Sequence, residues 1–136
     1  MTHFKPYAVL LALAGCAGSQ KSQTSEPAPS APASLVGTFH RADERGTVMR
    51  FAPDGTCAVA ASVEGLAEPS HRCTWTLDGN RLTFNNTQGS CADTEGTRVG
   101  VYDVVVRAQD VSFKKVTDMC ERRMSIDGET WQRLAN

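Results

Sequence analysis

The stretch His71-Arg72-Cys73-Thr74-Trp75-Thr76-Leu77-Asp78-Gly79-Asn80-Arg81-Leu82-Thr83-Phe84-Asn85 carries the reading of the fold. Large apolar side chains alternate with Thr and Arg on both sides of Asp78-Gly79. That period of two belongs to a half-buried strand, and the Asp-Gly pair is a tight-hairpin signal. With Asp78-Gly79 as a two-residue turn, Trp75 faces Leu82 and Cys73 faces Phe84. Upstream, Met49-Arg50-Phe51-Ala52-Pro53-Asp54-Gly55-Thr56-Cys57-Ala58-Val59 repeats the alternation around Pro-Asp-Gly, which suits a type I turn followed by a Gly bulge. This register sets Phe51 opposite Cys57 and Met49 opposite Val59. One face then collects Met49, Phe51, Cys57, Val59, Cys73, Trp75, Leu82 and Phe84, while Arg50, Thr74, Thr76, Arg81 and Thr83 take the other. A slip of one residue would send either apolar set to the wrong side, so the agreement of the two hairpins is informative.

Outward from these hairpins the same period predicts eight strands, over residues 35–41, 46–51, 56–63, 71–77, 81–85, 98–106, 111–115 and 130–134. No segment has room for a long helix. Short connections, antiparallel neighbours and one apolar face predict an all-β fold, an antiparallel eight-stranded up-and-down barrel, with a two-sheet sandwich as the alternative. Closure favours the barrel because it removes the exposed edges on which chains aggregate.

The composition limits function more than fold. The chain has 136 residues with 14 Lys and Arg against 15 Asp and Glu, a formal charge of −1. Nucleic-acid binding needs a basic face to neutralise phosphates, and nothing in this balance supplies one. No apolar run reaches the length that spans a bilayer.

The N-terminus has an address of its own. Lys5 is followed by an apolar stretch over residues 7–13 and then by Leu13-Ala14-Gly15-Cys16, the layout of a short export signal that ends at a cysteine. It resembles the lipobox of bacterial lipoproteins. The resemblance implies a signal over residues 1–15, cleavage before Cys16, and acylation of that cysteine as the anchor to the lipid bilayer. Each buried CH₂ contributes about 0.8 kcal/mol, so several acyl chains hold far more firmly than one. Ala17, where members retained at the inner membrane often carry Asp, implies the outer membrane of the cell envelope. Residues 17–34, AGSQKSQTSEPAPSAPAS, hold no large apolar side chain and read as a flexible tether of about 23 Å mean reach. The folded domain is expected over residues 35–136.

Export changes the reading of the remaining cysteines, Cys57, Cys73, Cys91 and Cys120. Disulfides form in such compartments, and a chain this short gains from them. A hairpin folded about Gly65 places Cys57 opposite Cys73 and leaves Cys91 for Cys120. The alternative, a zinc site, lacks the closely spaced cysteine pair such sites use, and no metal is expected.

Further short motifs carry a second resemblance: Gly37-Thr38-Phe39, Phe51-Ala52-Pro53-Asp54-Gly55-Thr56, Cys73-Thr74-Trp75-Thr76-Leu77, Gly100-Val101-Tyr102, Asp118-Met119-Cys120-Glu121-Arg122-Arg123 and Trp131-Gln132-Arg133. Together they are similar to the lipocalin-like small barrels of bacterial lipoproteins, with Phe39 where typical lipocalins carry Trp. The resemblance implies that Phe39 sits under an arginine from a late strand, Arg133 or Arg123, at one end of the barrel, as structure and not catalysis.

No nucleophile motif, phosphate-binding loop or His-Glu-x-x-His occurs, so a non-catalytic protein without cofactors is expected. His40 beside Arg41 and Asp43 reads as a surface residue. His71 falls opposite Val59, either as a half-buried pleat residue or lining a cavity. Asp118 and Glu121 fit a one-turn capped helix. Arg122 and Arg123 either pair with local acids or grip an anion. Two function classes remain. One is a barrel that binds a small hydrophobic or amphipathic ligand with Trp75, His71, Met49 and Phe84 lining the site. The other is an interaction module or inhibitor that presents loops such as residues 64–70 and 85–96 to an envelope protein. The resemblance favours the first.

Overall fold

Eight antiparallel strands close into a barrel in which every neighbour in space is the neighbour in sequence, and the last strand pairs with the first. The computed structural model describes residues 33–42 and 46–135. The expected signal over residues 1–15 and the lipidation site Cys16 lie outside the described residues, as does the tether apart from Ala33 and Ser34. The strands are β1 (Gly37–Arg41), β2 (Val48–Phe51), β3 (Thr56–Ala60), β4 (His71–Asp78), β5 (Arg81–Gln88), β6 (Val99–Val106), β7 (Asp110–Asp118) and β8 (Thr130–Arg133). Two single-turn helices, α1 (Glu95–Arg98) and α2 (Glu121–Met124), interrupt the longer connections. No helix among the described residues is long and apolar enough to cross a membrane.

The Pro53-Asp54-Gly55 turn forms as its chemistry demands. Asp54 Oδ1 accepts hydrogen bonds from the backbone N–H of Thr56 at 2.9 Å and its hydroxyl at 2.6 Å, and Gly55 takes φ +82°. These bonds also hold the Asp54 carboxyl below its usual pKa. The resulting register is Phe51 with Cys57 and Met49 with Val59. Across the next hairpin Cys57 meets Cys73 and Val59 meets His71.

The β4–β5 hairpin differs from the expected register. Its turn residues are Gly79 and Asn80, with Asp78 paired to Arg81, so Trp75 faces Phe84 and Leu77 faces Leu82. Gly79 has φ +60°, and Asn80 is not among the positive-φ residues. Positive φ at the first central position alone, with Gly there, is the preference of the type II′ hairpin, whose twist matches the flanking strands. The displacement is two residues in the pairing sum, so every side chain keeps its face. The same register sets Asn86 opposite Cys73, and a bulge between Arg72 and Cys73 then brings Gln88 opposite Arg72.

The interior is packed by rings along much of its length. Phe51 contacts Phe39, Trp75 and Phe84 with centroids 6.1, 5.6 and 5.9 Å apart. Phe84 meets Tyr102 at 5.8 Å, and Phe113 joins Tyr102 to Trp131 at 6.4 and 6.3 Å. Edge-to-face geometry dominates, as ring quadrupoles favour. The outer face is not uniformly wet. Val48, Ala58 and Ala60 point outward and are buried under Leu66, carried by a 3₁₀ turn over Glu64–Ala67. The third strand therefore ends at Ala60, and residues 61–63 leave the sheet so that Leu66 can cover this cluster.

Both disulfides join the expected partners. Cys57 and Cys73 bridge β3 to β4 with Cα atoms 4.9 Å apart. Cys91 and Cys120, 5.8 Å apart, tie the β5–β6 connection to the residue preceding α2.

Candidate functional site

Up-and-down topology sends alternate connections to opposite ends. The end holding the β2–β3, β4–β5 and β6–β7 turns is closed, and its plug is built from the chain's first and last described segments. Leu35 is buried there, and Arg133 lies over the Phe39 ring with its guanidinium carbon 4.5 Å from the centroid. The same guanidinium donates to the carbonyls of Ser34, Val36 and Ala108 at 2.5, 2.9 and 3.0 Å. Arg133, and not Arg123, therefore caps Phe39.

Arg123 sits at the other end, in a buried cluster. Asp118 accepts from Arg123 Nε at 2.5 Å and Nη2 at 2.8 Å, from the Tyr102 hydroxyl at 2.6 Å and from the Cys120 N–H at 2.8 Å. The guanidinium also donates to the carbonyls of Thr97 and Arg98. Burial, and then the adjacent Asp118, push the Tyr102 hydroxyl well above its usual pKa, so it stays a donor. Every member of this ion pair is satisfied, the condition under which a buried pair is tolerated. Gly100 makes room for it, since a Cβ there would fall against the Asp118 carboxylate and Arg123 Nε. The one-turn helix expected after Asp118 forms as α2, but without the reciprocal cap expected from Asp118 and Glu121. The N-cap of α2 is Cys120, without a side-chain cap bond, and Asp118 is committed to Arg123.

Above the packed rings this open end holds a cavity of about 320 Å³. Met49, Val59, Phe84, Ile126 and Trp131 give it apolar walls, and Arg41, His71, Arg122 and Arg123 stand around it. The Trp131 ring N–H is buried and has no acceptor among the described residues. His71 lies with its Nδ1 3.0 Å from the Ser70 hydroxyl. Burial, reinforced by the charge of Arg122, lowers its pKa below the ordinary 6.5. Arg41 reaches Glu129 at 3.4 Å.

Of the four residues expected to line a site, His71, Met49 and Phe84 border this cavity. Trp75 does not. It packs on Phe51 toward the closed end and donates its ring N–H to the Thr56 carbonyl at 3.0 Å. Its inward face was legible from the alternation, but depth along the barrel axis follows from strand stagger, which a period-two pattern does not encode. Sequence reasoning missed Arg41 and Ile126 as lining residues. Of Arg122 and Arg123, which were expected to pair with acids or grip an anion, Arg123 is paired with Asp118, and Arg122 borders the cavity. No cluster of three or more His, Cys, Asp or Glu suited to a metal occurs among the described residues. No family model, no curated protein and no solved structure matches this chain.

Proposed function

We propose that this chain is a non-catalytic, lipid-anchored binding protein of the bacterial cell envelope. In this reading a lipocalin-like barrel takes a small hydrophobic or amphipathic ligand at its open end. The observation that carries the ligand reading is the 320 Å³ cavity, which reaches the lower range of small-molecule sites and sits above an otherwise filled interior. Its walls are mostly apolar, with a few polar groups converging on it, the composition such sites usually have. The anchor rests on Leu13-Ala14-Gly15-Cys16. A Cys16→Ser variant should lose lipid labelling and leave the membrane fraction; normal processing with retention at the membrane would refute the anchor.

The ligand reading is tested by adding apolar and amphipathic compounds to the non-acylated full chain and following thermal unfolding. A ligand at a hundred times its dissociation constant stabilises by about 2.7 kcal/mol. One observation favours the second reading, an envelope protein partner: Met119 and Val99 are 71% and 47% exposed beside the Cys91–Cys120 staple. A screen without any stabilising compound, combined with specific crosslinking of one envelope protein to Met119, would replace the ligand reading with that one.

A further inference from the structure

The cavity is one-sided in charge. The domain as a whole has nearly equal numbers of acids and bases, yet every ionisable side chain on the cavity lining is basic: Arg41, His71, Arg122 and Arg123. These four differ in how far their charge is already balanced. Arg123 is neutralised by Asp118 in the buried cluster. Arg41 has Glu129 at 3.4 Å, a carboxylate that is itself 42% exposed. Arg122 has no carboxylate partner among the described residues, and its field is felt at His71, which it helps to keep neutral.

Arg122 is also held in place. It lies between two fixed points on α2. Cys120, two residues before it, is bonded to Cys91, and Arg123, one residue after it, is locked into Asp118. The backbone that carries the cation is thereby fixed, while the side chain itself is exposed and turns freely at the cavity rim. The same lining includes Met49, Phe84 and Ile126, which offer no polar group. The volume sets the size of an occupant. At about 320 Å³ it stands at the small end of ligand sites, the size for one short chain or ring within its walls.

We infer that the ligand is an amphipathic monoanion with one short chain or ring as its apolar body. The body enters first onto Phe84, Met49 and Ile126, and the anionic head stays at the rim with Arg122. The inference rests on the ligand reading above and adds the charge, size and orientation of the occupant.

The probes are decanoate, decanol and decylammonium, which share a chain and differ in head charge. Each is titrated calorimetrically into the full chain carrying Cys16→Ser, which keeps detergent out of the assay. Decanoate should bind at least tenfold more tightly than decanol, and decylammonium more weakly still. Arg122→Gln, at an exposed position where folding is not at stake, should remove most of the preference for decanoate while leaving decanol binding unchanged. On decanoate binding the His71 pKa, followed by its ring proton resonances, should rise as a negative charge arrives nearby. Equal binding of all three probes, or an unchanged preference in Arg122→Gln, would overturn the anionic head while leaving the ligand reading intact. Binding of none of them, with no compound stabilising the fold, would overturn both.

Discussion

Arg133 and Phe39 come from the last strand and the first, and the guanidinium lies 4.5 Å from the ring centroid while donating to three carbonyls. One side chain therefore covers the closed end of the barrel and fastens the seam between β1 and β8. Its planar fork does what an ammonium cannot, because it reaches Ser34, Val36 and Ala108 from one position. Arg133→Lys should cost about 2 kcal/mol of stability, most of the loss seen in Arg133→Ala, since charged hydrogen bonds contribute roughly 1.5–3 kcal/mol and cation–π contacts somewhat less. Urea unfolding of the two variants measures both.

Asp118 and Arg123 form the other pair on which the fold depends. Removing one partner of a satisfied buried pair leaves a charge without compensation and costs about 3–5 kcal/mol. Asp118→Ala should fall in that range. Gly100→Ala should approach it without touching either charged residue, because the added methyl displaces the carboxylate. Thermal unfolding that places Gly100→Ala within about 0.5 kcal/mol of the parent would show that the cluster has slack, as surface substitutions do.

The two disulfides should separate stability from binding. Their sequence separations of 16 and 29 residues correspond to roughly 3 and 3.6 kcal/mol of chain-entropy stabilisation. Replacing Cys57 and Cys73 together by Ala should lower stability and, since Cys73 borders the cavity, alter one apolar wall, while the preference for an anionic head is kept because Arg122 does not move. Replacing Cys91 and Cys120 should lower stability comparably and also weaken ligand affinity, since it frees the segment that holds Arg122. Calorimetric titration beside denaturant unfolding distinguishes the two effects.

His71 gives the barrel a weak dependence on pH. Its folded pKa is depressed by burial and by Arg122, so the unfolded chain binds the proton more readily. The associated stability is fully present above pH 6.5 and is lost as pH falls through the folded pKa. Of the arginines around the same cavity, Arg41 is balanced by Glu129 and Arg123 by Asp118, and Arg122 is the one whose charge opposes protonation. Arg122→Gln should raise the His71 pKa toward 6.5 and flatten the acid limb of the stability curve, which NMR titration and urea unfolding between pH 4 and 7 would show.

Much of this architecture is legible in the alternation around two turns. Phe51 opposite Cys57 and His71 opposite Val59 follow from Pro53-Asp54-Gly55 and the cysteine pair, because local chemistry fixes both. The β4–β5 pairing is displaced by two residues because the turn takes Gly79 at its first central position in place of Asp78, a competition between two plausible turns of equal length. The site was less legible. Arg41 and Trp131 are far apart in sequence and meet only where β8 pairs with β1, while Ile126 and Arg122 lie in a connection with no periodicity to read. Trp75 has the right face and the wrong depth.

The order of the strands also bears on how the chain reaches this state. Seven of the eight ladders join consecutive strands and require only short loops to close, so they form from local encounters. The β1–β8 seam alone must bring together residues such as Phe39 and Arg133, from opposite ends of the domain. A contact with so large a closure cost belongs after the rate-limiting barrier, where perturbations change the unfolding rate and spare the folding rate. Residence time in the native state, and with it resistance to proteases that act on the opened chain, is therefore set at the seam. Substitutions there should raise the unfolding limb in kinetic experiments without changing its slope, while the meander from β2 to β7 continues to assemble at its usual speed.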